Sequence, residues 1–308
     1  MNNVQSDRIT LGASDLRVSP IGIGTNSWGA NRQADPGLQP TFAAAQDIGI
    51  NFFDTAEIYG FGGSERTLGQ FLPAAGQKAV VMTKFAPLPW RLGKPSLIAA
   101  LQASLRRLQV TQVDLYLIHF PWPPAAIEIW MEALAEAVKS GLTRLVGVSN
   151  FNAVQMGRAH AALAKHGIPL ACNQVEYSLL KRVVERNGLL ALCRELGVTL
   201  VAYRPVTGGL LTGRYTPENP PQGWRGRRYS RAYLPRIQPV VALLRQVGEA
   251  HGGKTPSQVA LNWLIYKGAL PIPGATKVQH VHENAGALGW RLSEDEIASL
   301  DAAEDKLQ

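Results

Sequence analysis

Short apolar runs rich in β-branched residues alternate with longer stretches of helical periodicity along the whole sequence of 308 residues. The runs that predict strands are Pro20–Thr25, Asn51–Thr55, Ala79–Phe85, Asp114–Phe120, Arg144–Ser149, Ala171–Glu176, Thr199–Tyr203 and Ala269–Pro273. Several of them are apolar at consecutive positions, which is typical of parallel strands covered by helices. Eight such runs with helices between them predict an α/β fold, a (β/α)8 TIM barrel of about 250 residues plus extensions.

The extensions are expected to belong to a single domain over residues 1–308, because no linker or change in composition divides the sequence. They are an N-terminal β-hairpin over Ile9–Val18, a long loop after strand 7 and a last helix near the carboxyl terminus. An open, doubly wound sheet is the alternative. It is disfavoured because Gly22-Ile23-Gly24 is too short for the glycine-rich turn of that fold.

Helix signals fill the gaps between the strands. Leu97, Leu101, Leu105 and Leu108 recur at helical spacing and predict one apolar stripe. Thr255-Pro-Ser-Gln and Ser293-Glu-Asp-Glu each have the form of a capping box, which predicts that a helix begins at each of them.

Composition favours a cytosolic protein of the globular class. The sequence is 46% hydrophobic and 18% charged, and it has neither an apparent secretory signal nor an apolar run long enough to span a membrane. Its two cysteines, Cys172 and Cys193, lie in apolar surroundings and are expected to be buried reduced thiols.

The net charge of +8 raises the possibility of nucleic-acid binding, but the distribution of charge argues against it. The one basic cluster comprises Arg225, Arg227, Arg228, Arg231 and Arg236. It lies in a segment rich in proline and glycine and not on a helix that could enter a groove. A loop that helps to hold a phosphorylated cofactor is expected instead, and a merely solvated loop is comparably plausible.

Four polar side chains follow the predicted strands two to four. Asp54 and Tyr59 end the second strand, Lys84 lies in the third and His119 in the fourth. The carboxyl ends of neighbouring parallel strands share one sector of a barrel mouth, so these side chains are expected to meet. Each alone has a structural interpretation: a buried ion pair, a rim tyrosine, a core histidine. Together they are hard to explain by packing, because unpaired polar groups are costly to bury.

This arrangement suits the reduction of a carbonyl group, which needs a hydride on carbon and a proton on oxygen. A phenol has a reference pKa of about 10, and a neighbouring ammonium is expected to lower it. Tyr59 would then donate the proton, Lys84 would tune its pKa and Asp54 would hold Lys84 charged. A neutral His119 could orient the carbonyl by a hydrogen bond.

The sequence resembles the aldo-keto reductase superfamily from about Leu11 to Asn284. The resemblance rests on Phe53-Asp-Thr-Ala-x-x-Tyr59-Gly60, on Gly63-Ser64-Glu65 with Leu68-Gly69, and on the spacing to Thr83-Lys84 and to His119. It implies that Asp54, Tyr59, Lys84 and His119 form the catalytic tetrad of a (β/α)8 barrel. It also implies direct hydride transfer from a nicotinamide cofactor, NADPH, without a metal.

The resemblance further implies a set of cofactor contacts. Those for the nicotinamide are Ser149, Asn150 and Gln174, which would bind the carboxamide, and Tyr203, which would stack on the ring. Those for the pyrophosphate lie in the glycine-rich segment Gly208–Tyr215 and are Gly208, Leu210, Gly213 and Arg214. The remaining predicted contacts are Gly24, Thr25, Arg204, Gly274, Thr276, Lys277, His280, Glu283 and Asn284.

Among these, Lys277 would pair with the 2′-phosphate of NADPH, and Glu283 and Asn284 would contact adenine. A cation at that position favours NADP over NAD, although Lys277 could instead be exposed without a role. Two residues depart from the family. Arg204 replaces the usual serine after the stacking tyrosine, and could add a phosphate contact. His280 replaces an arginine or glutamine, which puts the strength of 2′-phosphate recognition in question.

Aromatic residues after the strands are expected to wall the substrate pocket, and they suit an apolar or aromatic carbonyl compound. They are Trp28, Trp90, Phe120 and Trp122, with Trp224 in the basic loop a weaker candidate. Each could equally pack beneath a loop. The leading hypothesis is an NADPH-dependent reductase of a small aldehyde or ketone. The alternative is a cofactor-binding regulatory protein with little turnover, similar to the auxiliary subunits of potassium channels.

Overall fold

The computed structural model of the chain describes residues 8–76, 79–122, 125–223 and 233–306. Two short strands, β1 (Ile9–Thr10) and β2 (Arg17–Val18), pair antiparallel as a hairpin. The other strands form one parallel sheet in sequence order: β3 (Ile23–Gly24), β4 (Phe52–Asp54), β5 (Val80–Phe85), β6 (Val113–Ile118), β7 (Thr143–Ser149), β8 (Leu170–Glu176), β9 (Thr199–Tyr203) and β10 (Leu270–Pro271). All eight predicted barrel strands and the predicted hairpin are therefore confirmed.

The sheet closes between its first and last strands. Gly22 N donates to Pro271 O at 2.9 Å and Gly24 N to Pro273 O at 3.0 Å, and Gly24 forms a parallel bridge with Gly274. A side chain at Gly24 would not fit, because its Cβ would lie 2.9 Å from Ile272 O. The closed order of parallel strands makes the fold a (β/α)8 barrel, and the open-sheet alternative is wrong.

Helices cover the outside of the barrel. In chain order they are α1 (Gln39–Ile48), α2 (Gly63–Ala75), α3 (Gly93–Leu108), α4 (Ile127–Lys139), α5 (Ala153–Ala164), α6 (Val183–Arg186), α7 (Leu189–Glu195), α8 (Tyr233–Ala250), α9 (Pro256–Tyr266), α10 (Val278–Ala285) and α11 (Glu294–Asp305). The predicted stripe on α3 is buried, and both predicted capping boxes are present, at Thr255 before α9 and at Ser293 before α11.

Alternate residues of each strand face inward and outward, and this divides the core in two. Phe52, Met82 and Leu117 belong to a cluster inside the barrel, whereas Phe53 and Phe85 belong to the larger cluster between the sheet and the helices. Strand parity therefore decides which polar residues at the strand ends face the barrel mouth.

The hairpin closes the amino-terminal end of the barrel. Leu11, Leu16 and Val18 from the hairpin pack with the inner cluster. Gly12 at the turn lies so close to β8 that an added Cβ would be 2.5 Å from Ala171 O. Polar chemistry is thus left to the opposite, carboxyl-terminal end of the strands.

Other expectations fare differently. Cys172 and Cys193 are buried and free, as predicted. No helix in the part of the chain that the structure describes is long and apolar enough to cross a membrane. Trp224 and the basic cluster, apart from Arg236, lie outside the described residues. The assignment of residues 1–308 to one domain stays a prediction.

Candidate active site

The predicted tetrad is brought together by strand parity. Asp54 ends β4, Lys84 lies two residues beyond the inward-facing Met82 on β5, and His119 lies two beyond Leu117 at the end of β6. Tyr59 follows β4 in a short 3-10 turn, Tyr59–Gly62. The turn depends on left-handed backbone at Gly60 (φ 57°), Phe61 (φ 54°) and Gly62 (φ 85°), and two glycines at these positions lower its strain.

Lys84 is the centre of the site and is fully buried. Its Nζ donates to Asp54 Oδ1 at 2.5 Å, to the Thr55 carbonyl at 2.7 Å and to the Tyr59 hydroxyl at 3.2 Å. An ammonium has three protons, so all of them have acceptors here. Asp54 also accepts from Gln174 Nε2 at 2.9 Å, which joins the tetrad to β8.

Burial opposes the charge on Lys84, but the Asp54 carboxylate and the Tyr59 oxygen outweigh it and raise the pKa of Lys84 above its ordinary value. The ammonium is therefore charged at neutral pH. Lys84 acts to lower the pKa of Tyr59, as expected, but its effect does not decide the net shift. Burial raises the pKa of Tyr59 above 10, because it outweighs the opposing charge of Lys84, and Asp54 raises it further.

His119 is 6% exposed, and burial and the nearby Lys84 lower its pKa to about 2, which favours the neutral form that the orienting role requires. Its ring meets the Tyr59 ring edge-on, with centroids 5.8 Å apart. Its Nδ1 is buried and has no hydrogen-bond partner among the described residues. A neutral imidazole beside a protonated phenol offers two neutral donors to a single oxygen atom.

The residues predicted to bind the carboxamide lie beside the tetrad and are joined to each other. Asn150, in left-handed backbone (φ 64°), donates to the His119 carbonyl at 3.0 Å and accepts from the Tyr203 hydroxyl at 2.9 Å. Ser149 donates to the Gln174 carbonyl at 2.9 Å. These contacts join the ends of β6, β7, β8 and β9.

The glycine-rich segment after β9 folds as a tight turn over Thr207–Thr212, with positive φ at Thr207, Gly208 and Gly209 and at Gly213 just beyond. Such backbone lets amide groups approach a phosphate closely. Two predicted side chains face elsewhere. The Leu210 side chain is buried against Leu234 and Ile237, and Arg214 stacks on Tyr215.

Arg204 has left-handed backbone (φ 52°), and its guanidinium pairs with Glu176 at 3.2 Å. Glu176, which also pairs with Lys181, therefore holds this guanidinium, and its contact with a phosphate stays a prediction. Thr25 is likewise occupied, since its buried hydroxyl donates to the Asp54 carbonyl at 2.8 Å.

Beyond β10, Gly274, Thr276, Lys277 and His280 are exposed around the start of α10. His280 Nδ1 accepts from Thr276 N at 3.2 Å, and Lys277 takes part in no ion pair among the described residues.

The two predicted adenine contacts, Glu283 and Asn284, differ in their hydrogen bonding. Glu283 accepts hydrogen bonds from the hydroxyls of Thr255 and Ser257, which anchor it to α9. Asn284 is 8% exposed, and its Nδ2 has no partner among the described residues, which is an unusual state for a buried donor.

The predicted substrate aromatics divide into two groups. Trp28 is fully buried, packs against Phe53 and Phe71, and donates from Nε1 to the Ala275 carbonyl at 2.6 Å. Its assignment to the pocket wall is wrong, because its ring faces the core beneath the loop. Trp90 and Trp122, in contrast, are 73% and 45% exposed.

Phe120 and Trp122 extend the His119 ring into a parallel stack of three rings. The centroid separations are 4.3 Å from His119 to Phe120 and 4.0 Å from Phe120 to Trp122, with interplanar angles of 3° and 6°. A flat aromatic surface thus leads from the buried imidazole to the protein exterior.

Sequence reasoning missed the residues that hold the mouth in shape. Glu57 accepts from Ala86 N at 2.7 Å and from Arg91, and Arg91 lies over the Phe85 ring. This pair ties the Tyr59 turn to the loop that carries Trp90. Phe61, which is 72% exposed and lies two residues after the predicted proton donor, was also missed, although an aromatic at that position was a visible signal.

Two cavities lie away from this mouth. One, of about 760 Å³, is lined by Ile9, Tyr266 and Trp290 among others, and the other, of about 720 Å³, lies between α3 and α4. Neither is lined by a member of the tetrad, whose side chains lie at the cleft formed by the carboxyl ends of the strands. No group of three or more metal-ligating side chains occurs within the described ranges.

Comparison with known proteins agrees with this geometry. The model of the aldo/keto reductase family matches residues 20–305. The chain belongs to this family. A pyridoxal reductase, chloroplastic, from Arabidopsis thaliana is 40% identical over an alignment of 308 positions, and this alignment covers 94% of this chain and 84% of the relative.

Solved structures give the same result for the fold of this aldo-keto reductase. A glycerol dehydrogenase from Gluconobacter oxydans superposes with a TM-score of 0.87 at 26% identity and covers 98% of this chain and 96% of its own. An aldo-keto reductase from Klebsiella pneumoniae in complex with NADPH has a TM-score of 0.76 at 30% identity, with coverage of 96% and 94%. The family is one of oxidoreductases that use a nicotinamide cofactor.

Proposed function

We propose that this chain reduces the carbonyl group of a small aldehyde or ketone to an alcohol with NADPH. The observation that supports this most strongly is the sharing of one buried ammonium, Lys84, between the Asp54 carboxylate and the Tyr59 hydroxyl. A purely structural ion pair has no need of a partly open phenol as its third acceptor.

Tyr59 is the proposed proton donor. Its oxygen accepts from Lys84, so its own O–H proton is free to point toward a substrate oxygen. The raised pKa keeps this proton in place at neutral pH. When the proton leaves, the phenolate remains beside a charged Lys84, which stabilises it. His119, as a neutral donor, would orient the same carbonyl oxygen.

The residues around the cleft fit a nicotinamide dinucleotide, which when bound supplies the hydride to the carbonyl carbon. Asn284 Nδ2, which has no hydrogen-bond partner among the described residues, is available to donate to the cofactor. The positive-φ turn over Gly208 and Gly209 suits a pyrophosphate. In this proposal Ser149, Asn150 and Gln174 orient the carboxamide and Tyr203 stacks on the ring.

The residues at the start of α10 are the basis for proposing that the protein prefers NADPH to NADH. Lys277 and His280 are exposed there beside the positive end of the helix, where a 2′-phosphate is favoured. Lys277→Ala should therefore weaken NADPH binding about tenfold and NADH binding by much less. Titration of intrinsic fluorescence with each cofactor measures both, and equal losses would contradict the charge pairing.

The substrate class proposed is an aldehyde on an aromatic ring. The parallel stack from His119 to Trp122, together with the exposed Trp90, offers flat apolar surface beside the proton donor. The name of the plant relative, a reductase of pyridoxal, supports the same class, since pyridoxal is an aldehyde carried by a pyridine ring.

The test is consumption of NADPH with a panel of pyridoxal, 4-nitrobenzaldehyde, an aliphatic aldehyde and a sugar aldehyde. Wild type should exceed Tyr59→Phe by at least about 100-fold on the aromatic members, the size expected for loss of a general acid. If wild type and Tyr59→Phe consume NADPH at equal rates with every member of the panel, the reductase proposal fails and the non-catalytic regulatory alternative is favoured. Recovery of a membrane channel together with the protein would then support that alternative.

The proposed location is the cytosol. Two buried free thiols suit a reducing compartment, although the plant relative is described as chloroplastic. Fractionation of the source cells tests this proposal independently of activity.

A further inference from the structure

The segment Gly63-Ser64-Glu65 opens α2, and the mechanism above gives it no role. Ser64 and Glu65 are both completely buried, although serine and glutamate are mostly exposed in proteins. Neither residue contacts the proposed reacting groups directly. Both are connected to Lys84, from two different sides.

The first connection runs through hydroxyl groups. Ser64 Oγ lies 2.8 Å from Thr55 Oγ1 and 2.7 Å from Thr25 Oγ1, and Thr25 Oγ1 donates to the Asp54 carbonyl at 2.8 Å. The Ser64 hydroxyl donates toward Thr25, whose carbonyl also lies 2.9 Å from it. A consistent set of donors therefore runs from Thr55 to Ser64, from Ser64 to Thr25 and from Thr25 to Asp54. Together with the backbone hydrogen bonds from Thr25 N to Asp54 O and from Thr55 N to Met82 O, this set holds Asp54 and Thr55 in place. The Thr55 carbonyl is the acceptor that holds Lys84 Nζ at 2.7 Å.

The second connection runs through Glu65 to β5. Glu65 Oε1 accepts from Thr83 Oγ1 at 2.6 Å, and Oε2 accepts from Arg107 Nε at 2.6 Å. Thr83 precedes Lys84, and strand parity turns it outward toward α2 while Lys84 faces the barrel interior. The carboxylate thereby fixes the strand position from which the Lys84 side chain extends.

We propose that Ser64 and Glu65 are positioning residues for Lys84, which set the contact between its ammonium and the Tyr59 oxygen. The contact to Tyr59, at 3.2 Å, is the longest of the three that Nζ makes, so a small movement of Nζ weakens it first. If the Thr55 carbonyl shifts, the ammonium follows the closer Asp54 oxygen and moves away from the phenol. This inference rests on the proposed function, because it assumes that Tyr59 transfers a proton.

The decisive variant is Ser64→Ala, with Thr67→Val as the matched control. Thr67 lies on the same helix and is also fully buried, but its hydroxyl donates to the Gly63 carbonyl and accepts from Asp35 N at 2.9 Å, and neither contact involves Lys84 or its hydrogen-bond partners. Loss of a buried hydroxyl from α2 is common to both variants, so a merely structural role predicts equal behaviour. Ser64→Thr keeps a hydroxyl and should restore most of the activity.

We expect Ser64→Ala to lower kcat for 4-nitrobenzaldehyde about tenfold, as a small misplacement of a reacting group does, with KM for NADPH within about twofold. Lys84 lowers the pKa of the phenol, so a longer contact should raise it. The apparent pKa in the pH profile of kcat for oxidation of 4-nitrobenzyl alcohol should therefore move upward in Ser64→Ala and stay in place in Thr67→Val.

Equal kcat values and equal pH profiles for the two variants would overturn the positioning role while leaving the reductase proposal intact. An inactive wild type would instead end both. If Ser64→Ala does not fold, Thr55→Val replaces it in the same measurements, with the same expected changes in kcat and in the apparent pKa. Thr55→Val removes the hydroxyl at the other end of the same hydrogen bond.

Discussion

Two groups of oppositely charged side chains in this molecule differ in burial and in the number of ion pairs that each side chain makes. At the cleft, Lys84 has a single carboxylate partner among the described residues, Asp54, and both are almost completely buried. At the carboxyl terminus, three cations share four carboxylates in a partly exposed network. Its members are Arg182, Arg186, Lys267, Glu185, Asp301, Glu304 and Asp305.

The difference is one of redundancy. Arg182 contacts carboxylates on α6 and on α11, and it joins the loop after β8 to the last helix. Loss of one partner there leaves several others. Lys84 has no substitute for Asp54 among the described residues, and its other two protons are directed to the Thr55 carbonyl and the Tyr59 hydroxyl. A network of several ion pairs is suited to stabilising the fold, whereas a single ion pair that also contacts Tyr59 is suited to controlling proton transfer at that residue.

The largest effect is expected from the pair without redundancy. Lys84→Met keeps much of the side-chain volume but removes the charge that stabilises the phenolate. We expect kcat for aromatic aldehydes to fall by about 100- to 1,000-fold, with NADPH affinity within about threefold. Stopped-flow reduction and fluorescence titration measure the two quantities. A matching loss of NADPH affinity would mean that Lys84 supports the cofactor site and not the chemistry.

Arg182→Met should give the reverse pattern. It removes one cation from the partly buried Glu185, which keeps Lys267, and one from the buried Glu304, which keeps Arg186. The expected loss is about 3 kcal/mol of the free energy of unfolding. Denaturant unfolding measures this loss, and Arg158→Met is the control. Arg158 pairs with Glu128 at the exposed surface, where a pair contributes less than about 1 kcal/mol. Similar losses in both variants would show that the network adds nothing beyond an ordinary surface pair.

Acid should weaken the terminal network. Burial alone would raise the pKa of Glu185, but Arg182, Tyr177 and Lys267 outweigh it and lower that pKa. A carboxyl group with a lowered pKa contributes stability above its unfolded pKa and loses it as the pH falls. The difference in unfolding free energy between wild type and Arg182→Met should therefore shrink below about pH 4.5. A constant difference down to pH 3 would contradict this origin.

The smallest effect is expected from changing the pH between 5 and 8, which should leave kcat for reduction almost unchanged. The pKa of His119 is lowered to about 2 and that of Tyr59 is raised above 10, so neither changes protonation in this range. The profile of kcat for reduction should be flat to within about twofold. A limb near pH 6.5 that vanishes in His119→Gln would show that His119 titrates in the working enzyme.

Much of the cleft could be predicted from the sequence because it is local in the chain. Each barrel strand is a short apolar run, and the tetrad residues lie at fixed parity or distance from these runs. The family motif then assigned roles to Asp54, Tyr59, Lys84 and His119. Strand parity and register in the structure add the reason that three of the four face the barrel mouth.

What the sequence did not predict depends on packing between distant segments. Trp28 looked like a pocket residue, but the loop above it turns the indole toward Ala275, 247 positions away. The sign of the pKa shift at Tyr59 depends on how much protein surrounds it. The Arg182 network joins residues about 120 positions apart, and no local pattern encodes such a pairing.

The central claim is that Lys84 acts through the Tyr59 oxygen, and a double-mutant cycle tests it most directly. Reduction of 4-nitrobenzaldehyde is measured for wild type, Tyr59→Phe, Lys84→Met and the double variant, at saturating NADPH and pH 7. If Lys84 works through Tyr59, the double variant should be about as slow as Tyr59→Phe alone. If instead the two losses multiply, Lys84 acts independently of Tyr59, and the shared ammonium is not the source of catalysis.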